Sequence, residues 1–207
     1  APFTWLAAKL SRAQCVVYLH GLDIEANNHP IYRILWHWFL RRFDTALVNS
    51  HFTRNLALDI GVPDSCLHIL HPGVSLPDHT PALERRQAFR AHHGLTDTTP
   101  VMLYVGRITQ RKGLLIFVQH SLPQILQRCP DAKLIVVGDE SRSSLLKNTG
   151  LVANIQQHLK NNKISSSVLF LGEKAKDDPD LSSAYFAADV LVFPVQPQAH
   201  DNEGFGM

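Results

Sequence analysis

Short apolar runs rich in β-branched residues alternate with longer amphipathic stretches along the whole chain. Because these runs contain few polar positions, both faces of each predicted strand need to be buried. Strands of this kind form parallel sheets that are covered by helices, which predicts an α/β fold. The pattern predicts strands at residues 15–19, 45–48, 67–70, 101–105, 133–137, 168–171 and 189–193.

Helical spacing of apolar residues predicts the elements between the strands. Ser50 is the expected N-cap of a helix at residues 52–59. Pro123 predicts a kink or a local break in the helix at residues 113–128. The remaining predicted helices lie at residues 31–43, 83–92, 143–161 and 181–188.

The chain has 207 residues, which allows one large domain or two small ones. A polar stretch with two prolines is the best linker candidate, and it predicts a first domain at residues 1–76, a linker at 77–82 and a second domain at 83–207. The chain begins at Ala1 within a predicted helix and stops at Met207 in a Gly-rich loop. Since termini usually lie in polar linkers, we expect a fragment of a longer protein.

The composition excludes several classes of protein. Hydrophobic residues make up 45% and charged residues 18%, which is ordinary for a globular chain and not for a disordered one. The net charge is only +2 and neither half is strongly basic, so we expect no nucleic-acid partner. No apolar run is long enough to span a membrane. The three widely spaced cysteines and the scattered histidines predict neither disulfides nor a metal site, and they favour a reducing, cytoplasmic location.

Ligands of parallel α/β sheets bind beyond the carboxyl ends of the strands, which directs attention to the loops there. The loop at residues 105–113 joins a strand to a helix and carries Arg107 and Lys112, while Gly106 allows close approach to the backbone. An Arg fork with a Lys point charge suits a diphosphate. A phosphate site and a solvated basic turn are equally compatible with this loop, and it matches neither a Walker motif nor a dinucleotide fingerprint.

Two further loops could carry chemistry. In the last loop, Gly204 and Gly206 expose backbone amides that could cradle an oxyanion, and Glu203 could accept hydrogen bonds from sugar hydroxyls. An ordinary Gly-rich turn with an exposed Glu is the alternative. His20 follows the first strand and precedes Gly21, so a catalytic or ligand-facing role and a capping or packing role are about equally favoured.

Seven segments, taken in order, resemble motifs of the family 4 retaining glycosyltransferases. They lie at residues 46–53, 71–74, 106–113, 136–139, 169–172, 188–194 and 203–207. The resemblance implies a GT-B-like fold, in which two Rossmann-like parallel-sheet domains face a cleft. It also implies that the N-terminal, acceptor-side domain is incomplete here and that the C-terminal, nucleotide-sugar-binding domain is truncated. The second Glu of the family's Glu-x7-Glu motif would fall at position 211, beyond Met207.

The resemblance implies roles for individual residues. Arg107 and Lys112 would hold the donor diphosphate, Glu203 would contact the donor sugar, and His20 would be the histidine beside that sugar. These four are the implied catalytic residues. The implied donor-binding residues, which cradle the sugar and phosphate or lie near the nucleotide base, are Gly106, Gly204, Phe205, Gly206, Gly172 and Glu173.

The implied activity is transfer of a sugar from a nucleotide-diphosphate sugar to an acceptor hydroxyl, with retention of anomeric configuration and without a metal or cofactor. The acceptor would be a saccharide, a lipid-linked acceptor or another hydroxyl compound, and we expect residues 1–207 alone to be inactive. A nucleotide-sugar epimerase or hydrolase of the same fold, or a non-catalytic nucleotide-sugar-binding module, stays open. The Trp- and Arg-rich helix at residues 31–43 could contact a membrane surface peripherally, although a buried helix is favoured.

Overall fold

The computed structural model describes residues 2–25, 30–73, 82–140 and 150–196. The chain divides into two compact units, the first ending at Ser75 and the second covering Leu76–Gln196. Each unit is built on a parallel sheet, as predicted. The predicted linker at residues 77–82 lies outside the described residues except for Ala82, which already belongs to a helix.

The first unit contains three parallel strands in the order β1-β2-β3. Its elements are α1 (Pro2–Ser11), β1 (Val16–Leu19), α2 (Leu22–Glu25), α3 (Pro30–Leu40), β2 (Thr45–Val48), α4 (His51–Asp59), a 3-10 turn (Asp64–Cys66) and β3 (Leu67–Ile69). All three predicted strands are present, whereas the short α2 was not predicted.

Ser50 begins α4 as its sequence predicts. Its backbone is extended and its hydroxyl accepts a hydrogen bond from the backbone N–H of Thr53 at 3.1 Å, which satisfies one amide at the helix start. Ala57 of α4 is buried against the sheet together with Leu19 and Val48. The cap and this apolar face therefore fix α4 on the sheet.

The second unit contains four parallel strands in the order β6-β5-β4-β7. Its helices are α5 (Ala82–His92), α6 (Leu114–Ile116), α7 (Leu122–Arg128), α8 (Leu151–Asn161) and α9 (Pro179–Ala187). Its strands are β4 (Val101–Val105), β5 (Lys133–Val137), β6 (Val168–Gly172) and β7 (Val190–Leu191). A π-helical segment, Phe117–Ser121, joins α6 to α7, so the irregularity in this helix precedes Pro123. Of the helix predicted at 143–161, residues 143–149 lie outside the described residues.

Neighbouring residues of the central strands face opposite sides of this sheet. Tyr104 and Leu134 belong to a core cluster that includes residues of α6, α7 and α8. Leu103 and Ile135 belong to a second cluster, formed with residues of α5 and α9. Both faces are therefore covered by helices, which confirms the α/β fold predicted from the apolar strands. In the part of the chain that the structure describes, no helix is long and apolar enough to cross a membrane.

Candidate functional site

Backbone hydrogen bonds join the loops at the carboxyl edge of the second sheet. The N–H of Gly106, after β4, donates to Val137 O at 3.0 Å, and the N–H of Gly138, after β5, donates to Gly172 O at 2.7 Å. The N–H of Ile108 donates to Asp139 O at 3.0 Å. The loops after three neighbouring strands therefore lie side by side.

Two glycines allow these loops to approach one another closely. A Cβ at Gly138 would collide with the carbonyl oxygen of Gly106, and a Cβ at Gly113 would collide with that of Pro194. Both glycines also have positive φ, +134° and +72°, which side chains disfavour. Because Pro194 follows β7, the contact at Gly113 brings the loop after β4 against the loop after β7.

The strand order creates a switch point between β4 and β7. The chain moves from β4 outwards to β5 and β6 and then returns to the other side of β4 as β7. Crevices for ligands open at such points, beyond the carboxyl ends of the strands. Arg107 and Lys112 follow β4 here, and Lys112 Nζ lies 5.3 Å from the ring centroid of Phe193, which follows β7. The N–H of Gln196 donates to Arg111 O at 2.8 Å and ties the same two loops together.

Tyr104 holds the backbone of the basic loop through a hydrogen bond. Its sequence pattern alone did not predict this role. Its side chain is 2% exposed, and its hydroxyl donates to the carbonyl oxygen of Arg107 at 3.0 Å. Burial raises the pKa of Tyr104 to about 12, so the hydroxyl stays a donor at neutral pH. A tyrosine in an otherwise apolar strand was the available signal, because a buried hydroxyl needs a partner.

Arg107 contributes a positive charge to this edge. The Arg107 side chain is exposed, and no carboxylate within residues 2–25, 30–73, 82–140 and 150–196 forms an ion pair with it. The nearby Glu140 carboxylate instead accepts hydrogen bonds from the N–H groups of Gly150 and Val152 at the start of α8. An anion approaching Arg107 therefore meets a guanidinium whose charge these carboxylates leave unneutralised.

Five of the predicted site residues come together at this edge, namely Gly106, Arg107, Lys112, Gly172 and Glu173. Gly172 ends β6 and accepts the hydrogen bond from Gly138, and Glu173 after it is exposed. The four predicted residues Glu203, Gly204, Phe205 and Gly206 lie outside the described residues.

His20 lies in the first unit, directly after β1. Its backbone N–H donates to Asp23 Oδ2 at 2.9 Å, and its carbonyl oxygen accepts from Asn49 Nδ2 at 3.4 Å. The side chain is exposed, which excludes a core-packing role. No group of three or more potential metal ligands occurs among the residues that the structure describes.

A second surface feature of the first unit concerns α1 and α3, which pack through Trp5 against Trp38 and Phe39, with ring centroids 5.8 Å apart in both pairs. Large apolar side chains on these helices are exposed, up to 84% at Phe3 and 67% at Ile34. We call this the α1–α3 surface, and it comprises Phe3, Leu6, Leu10, Ile31, Ile34, Leu35 and Trp38. The sequence favoured a buried helix at 31–43; in this chain Leu40 is buried and Trp36 packs against the core, whereas the face with Ile34 is exposed.

The family described as glycosyl transferases group 1 matches residues 99–207, which is more than half of the chain. A second family, described as Glycosyltransferase Family 4, matches residues 1–77. The chain belongs to the glycosyl transferases group 1 family. This membership confirms the family that was predicted from the seven segments.

Two relatives with curated names are mannosyltransferases. The chain is 32% identical over 141 residues to a GDP-mannose-dependent monoacylated alpha-(1-6)-phosphatidylinositol monomannoside mannosyltransferase of Corynebacterium glutamicum, covering 67% of this chain and 33% of the relative. It is 25% identical over 204 residues to a GDP-mannose-dependent alpha-(1-6)-phosphatidylinositol monomannoside mannosyltransferase of Mycolicibacterium smegmatis, covering 98% and 50%. The chain thus spans a third to a half of these relatives.

Solved structures share the fold. The Anabaena protein HepE, crystallised in complex with UDP, superposes with a TM-score of 0.72 at 18% identity and covers 92% of this chain and 49% of its own. At this identity the likeness concerns the fold alone. It agrees with the predicted GT-B-like class.

Proposed function

We propose that the parent protein of this chain transfers a sugar from a nucleotide-diphosphate sugar to an acceptor hydroxyl, with retention of anomeric configuration. The observation that carries this proposal is the basic loop with Arg107 and Lys112 at the switch point between β4 and β7. Membership of the family supports sugar transfer, and the names of both mannosyltransferase relatives support a nucleotide-sugar donor.

The basic loop would stabilise the leaving group. As the bond between the sugar C1 and the β-phosphate oxygen breaks, negative charge grows on the departing diphosphate. The Arg107 fork and the Lys112 point charge would interact more strongly with this charge than with the intact donor, which lowers the barrier. One such contact is worth about 3 kcal/mol, or roughly 100-fold in rate.

Retention would follow from attack on the face that the leaving group occupies. The acceptor oxygen bonds to C1 while the bond to phosphate breaks, and the acceptor proton passes to the leaving phosphate. In this proposal Glu203, His20 and the amides of Gly204–Gly206 contact the donor sugar and phosphate, and Glu173 lies near the base. The two cations take the place of a metal ion, and no further cofactor is included.

We also propose that the protein is cytoplasmic and contacts anionic lipid peripherally through the α1–α3 surface. Exposed apolar side chains there are accompanied by Lys9 and Arg33, and Arg42 packs 3.5 Å from the Trp38 ring centroid. Neither α1 nor α3 contains an acidic residue. An apolar face with only cations complements an anionic bilayer surface. Both relatives carry phosphatidylinositol in the names of their acceptors, which supports a lipid surface.

The test is a transfer assay on the parent protein with GDP- and UDP-sugars and with phosphatidylinositol glycosides or saccharides as acceptors. We expect Arg107→Ala or Lys112→Ala to lower kcat/KM by about 100-fold or more. Arg128→Ala, in the last turn of α7, is the matched control and should leave the rate unchanged. Near wild-type turnover by either loop variant would contradict the diphosphate role.

Product analysis separates this activity from its alternatives. The anomeric configuration of the product, determined by NMR, should match that of the donor sugar. An inverted configuration would contradict retention. Donor consumption without an acceptor would indicate a hydrolase or an epimerase instead. Donor binding without any turnover in the parent protein would indicate a binding module.

A further inference from the structure

The ring of Tyr18, in β1, contacts the ring of His20, which directly follows that strand. Their ring centroids are 4.5 Å apart, with 53° between the ring planes. This is a tilted aromatic contact at the carboxyl end of the first strand.

The Tyr18 ring is fixed at both ends. Its backbone belongs to β1, and its hydroxyl donates to the carbonyl oxygen of Leu70 at 2.8 Å. Leu70 follows β3, so the side chain extends past β2 to the far strand of the three-stranded sheet. A ring held in this way has little freedom to move away from His20.

The His20 backbone is held by other groups. Asp23 accepts from its N–H, and Asn49 donates to its carbonyl oxygen. In contrast, no side chain among the described residues forms a hydrogen bond with a ring nitrogen of His20. The contact with the Tyr18 ring limits the rotamers that the imidazole can adopt at this exposed edge.

We propose that Tyr18 is a positioning residue that holds the His20 imidazole in one orientation towards the donor sugar. This inference rests on the role of His20 in the proposed function. Loss of the ring would let the imidazole leave its productive orientation, and a small displacement of a group that contacts substrate lowers kcat. Donor affinity would change little, because Tyr18 itself does not belong to the diphosphate loop.

The first experiment needs no enzymatic activity. In the 207-residue chain with labelled histidine and tyrosine, NOEs should join the Tyr18 ring protons to the His20 ring protons. The wild-type His20 protons should also show a ring-current shift that disappears in Tyr18→Leu, with His20→Gln used for assignment. Missing NOEs, or His20 shifts that are the same in wild type and Tyr18→Leu, would overturn the proposal whatever the enzyme does.

The second experiment uses the parent enzyme. Tyr18→Leu should lower kcat about tenfold with the donor KM within twofold of wild type. Tyr18→Phe keeps the ring and should restore most of the rate. Equal losses in Tyr18→Phe and Tyr18→Leu, or a loss confined to KM, would overturn positioning through the ring. A changed His20 spectrum with unchanged kcat would support the ring contact and contradict the catalytic role of His20, so the two failures are distinguishable.

Discussion

At the scale of single residues, Tyr104 connects the core of the second unit to its basic loop. The hydroxyl reaches the Arg107 carbonyl from a strand that is otherwise apolar. We expect Tyr104→Phe to lower the free energy of unfolding by about 1 kcal/mol, because one buried hydrogen bond is lost. Donor binding should weaken a few-fold, since the Arg107 backbone loses its support. Urea unfolding and calorimetric titration with a nucleoside diphosphate measure the two effects.

Tyr185→Phe is the control for this substitution. Tyr185 lies in α9 on the other side of the sheet and is 49% exposed. The same chemical change there should alter neither stability nor binding. If Tyr104→Phe were equally silent, the hydrogen bond to Arg107 would have no part in shaping the loop.

Asp189 joins two arginines at the opposite edge of the same sheet. Its carboxylate pairs with Arg86 at 2.7 Å and with the buried Arg90 at 3.0 Å, and it accepts from the N–H of Val101 at 2.8 Å. Burial acts to raise the pKa of Asp189, but the hydrogen bonds from Arg86 and Val101 and the charge of Arg90 outweigh it, and the pKa is lowered. Arg90 in turn donates to the carbonyl oxygen of Ala187 at the end of α9.

The sign of this shift sets a pH dependence. A carboxyl whose pKa is lower in the folded state stabilises the protein above its unfolded pKa of about 3.9, and this stabilisation is lost as the pH falls through the folded value. We expect the difference in unfolding free energy between wild type and Asp189→Asn to be constant above about pH 5 and to shrink below about pH 4. Urea unfolding across pH 3–7 measures it, and a difference that grows on acidification would contradict the assignment.

At the scale of elements, local sequence signals were sufficient where the determinant is local. Three features depend only on neighbouring residues. They are the N-cap at Ser50, the strands that are apolar on both faces, and the positions of Arg107 and Lys112 after β4. The predicted strand at 189–193 was too long, because β7 pairs only at Val190 and Leu191, opposite Met102 and Leu103.

Contacts between distant segments were out of reach of the sequence. Lys112 lies near Phe193 only because β7 inserts beside β4, and Tyr18 meets Leu70 only because β2 lies between β1 and β3. Strand order depends on the packing of the whole unit and not on any local pattern. Tyr104 and Tyr18 therefore had no assigned role before the structure was known.

The α1–α3 surface gives a prediction about two helices acting together. We expect the chain to co-sediment with vesicles containing phosphatidylinositol or phosphatidylserine, more weakly at high salt, and not with purely phosphatidylcholine vesicles. Leu10→Glu combined with Ile34→Glu should abolish binding, because charge enters the apolar face of each helix.

The matched control is Ile116→Glu, which changes an exposed isoleucine of the second unit. Binding should survive this substitution. Absence of binding to anionic vesicles, or equal loss in the control, would contradict a lipid contact at the α1–α3 surface.

At the scale of the whole molecule, the two units carry different spectroscopic reporters. The three tryptophans, Trp5, Trp36 and Trp38, all lie in the first unit. The proposed diphosphate residues Arg107 and Lys112 both lie in the second. Tryptophan emission therefore follows unfolding of the unit that holds His20, whereas far-UV circular dichroism follows both units.

A nucleoside diphosphate should consequently stabilise the two units unequally. At ten times its Kd, a ligand that binds only the folded state contributes about 1.4 kcal/mol. For a domain of about 100 residues this raises the Tm by roughly 6–11 °C. We expect GDP or UDP to raise the circular dichroism midpoint, to which both units contribute, by up to this amount, and the tryptophan midpoint by less. Guanosine and uridine lack the diphosphate and should have little effect, and Arg107→Ala with Lys112→Ala should remove the difference. A shift that survives the double substitution, or one that guanosine and uridine reproduce, would contradict diphosphate binding by this loop.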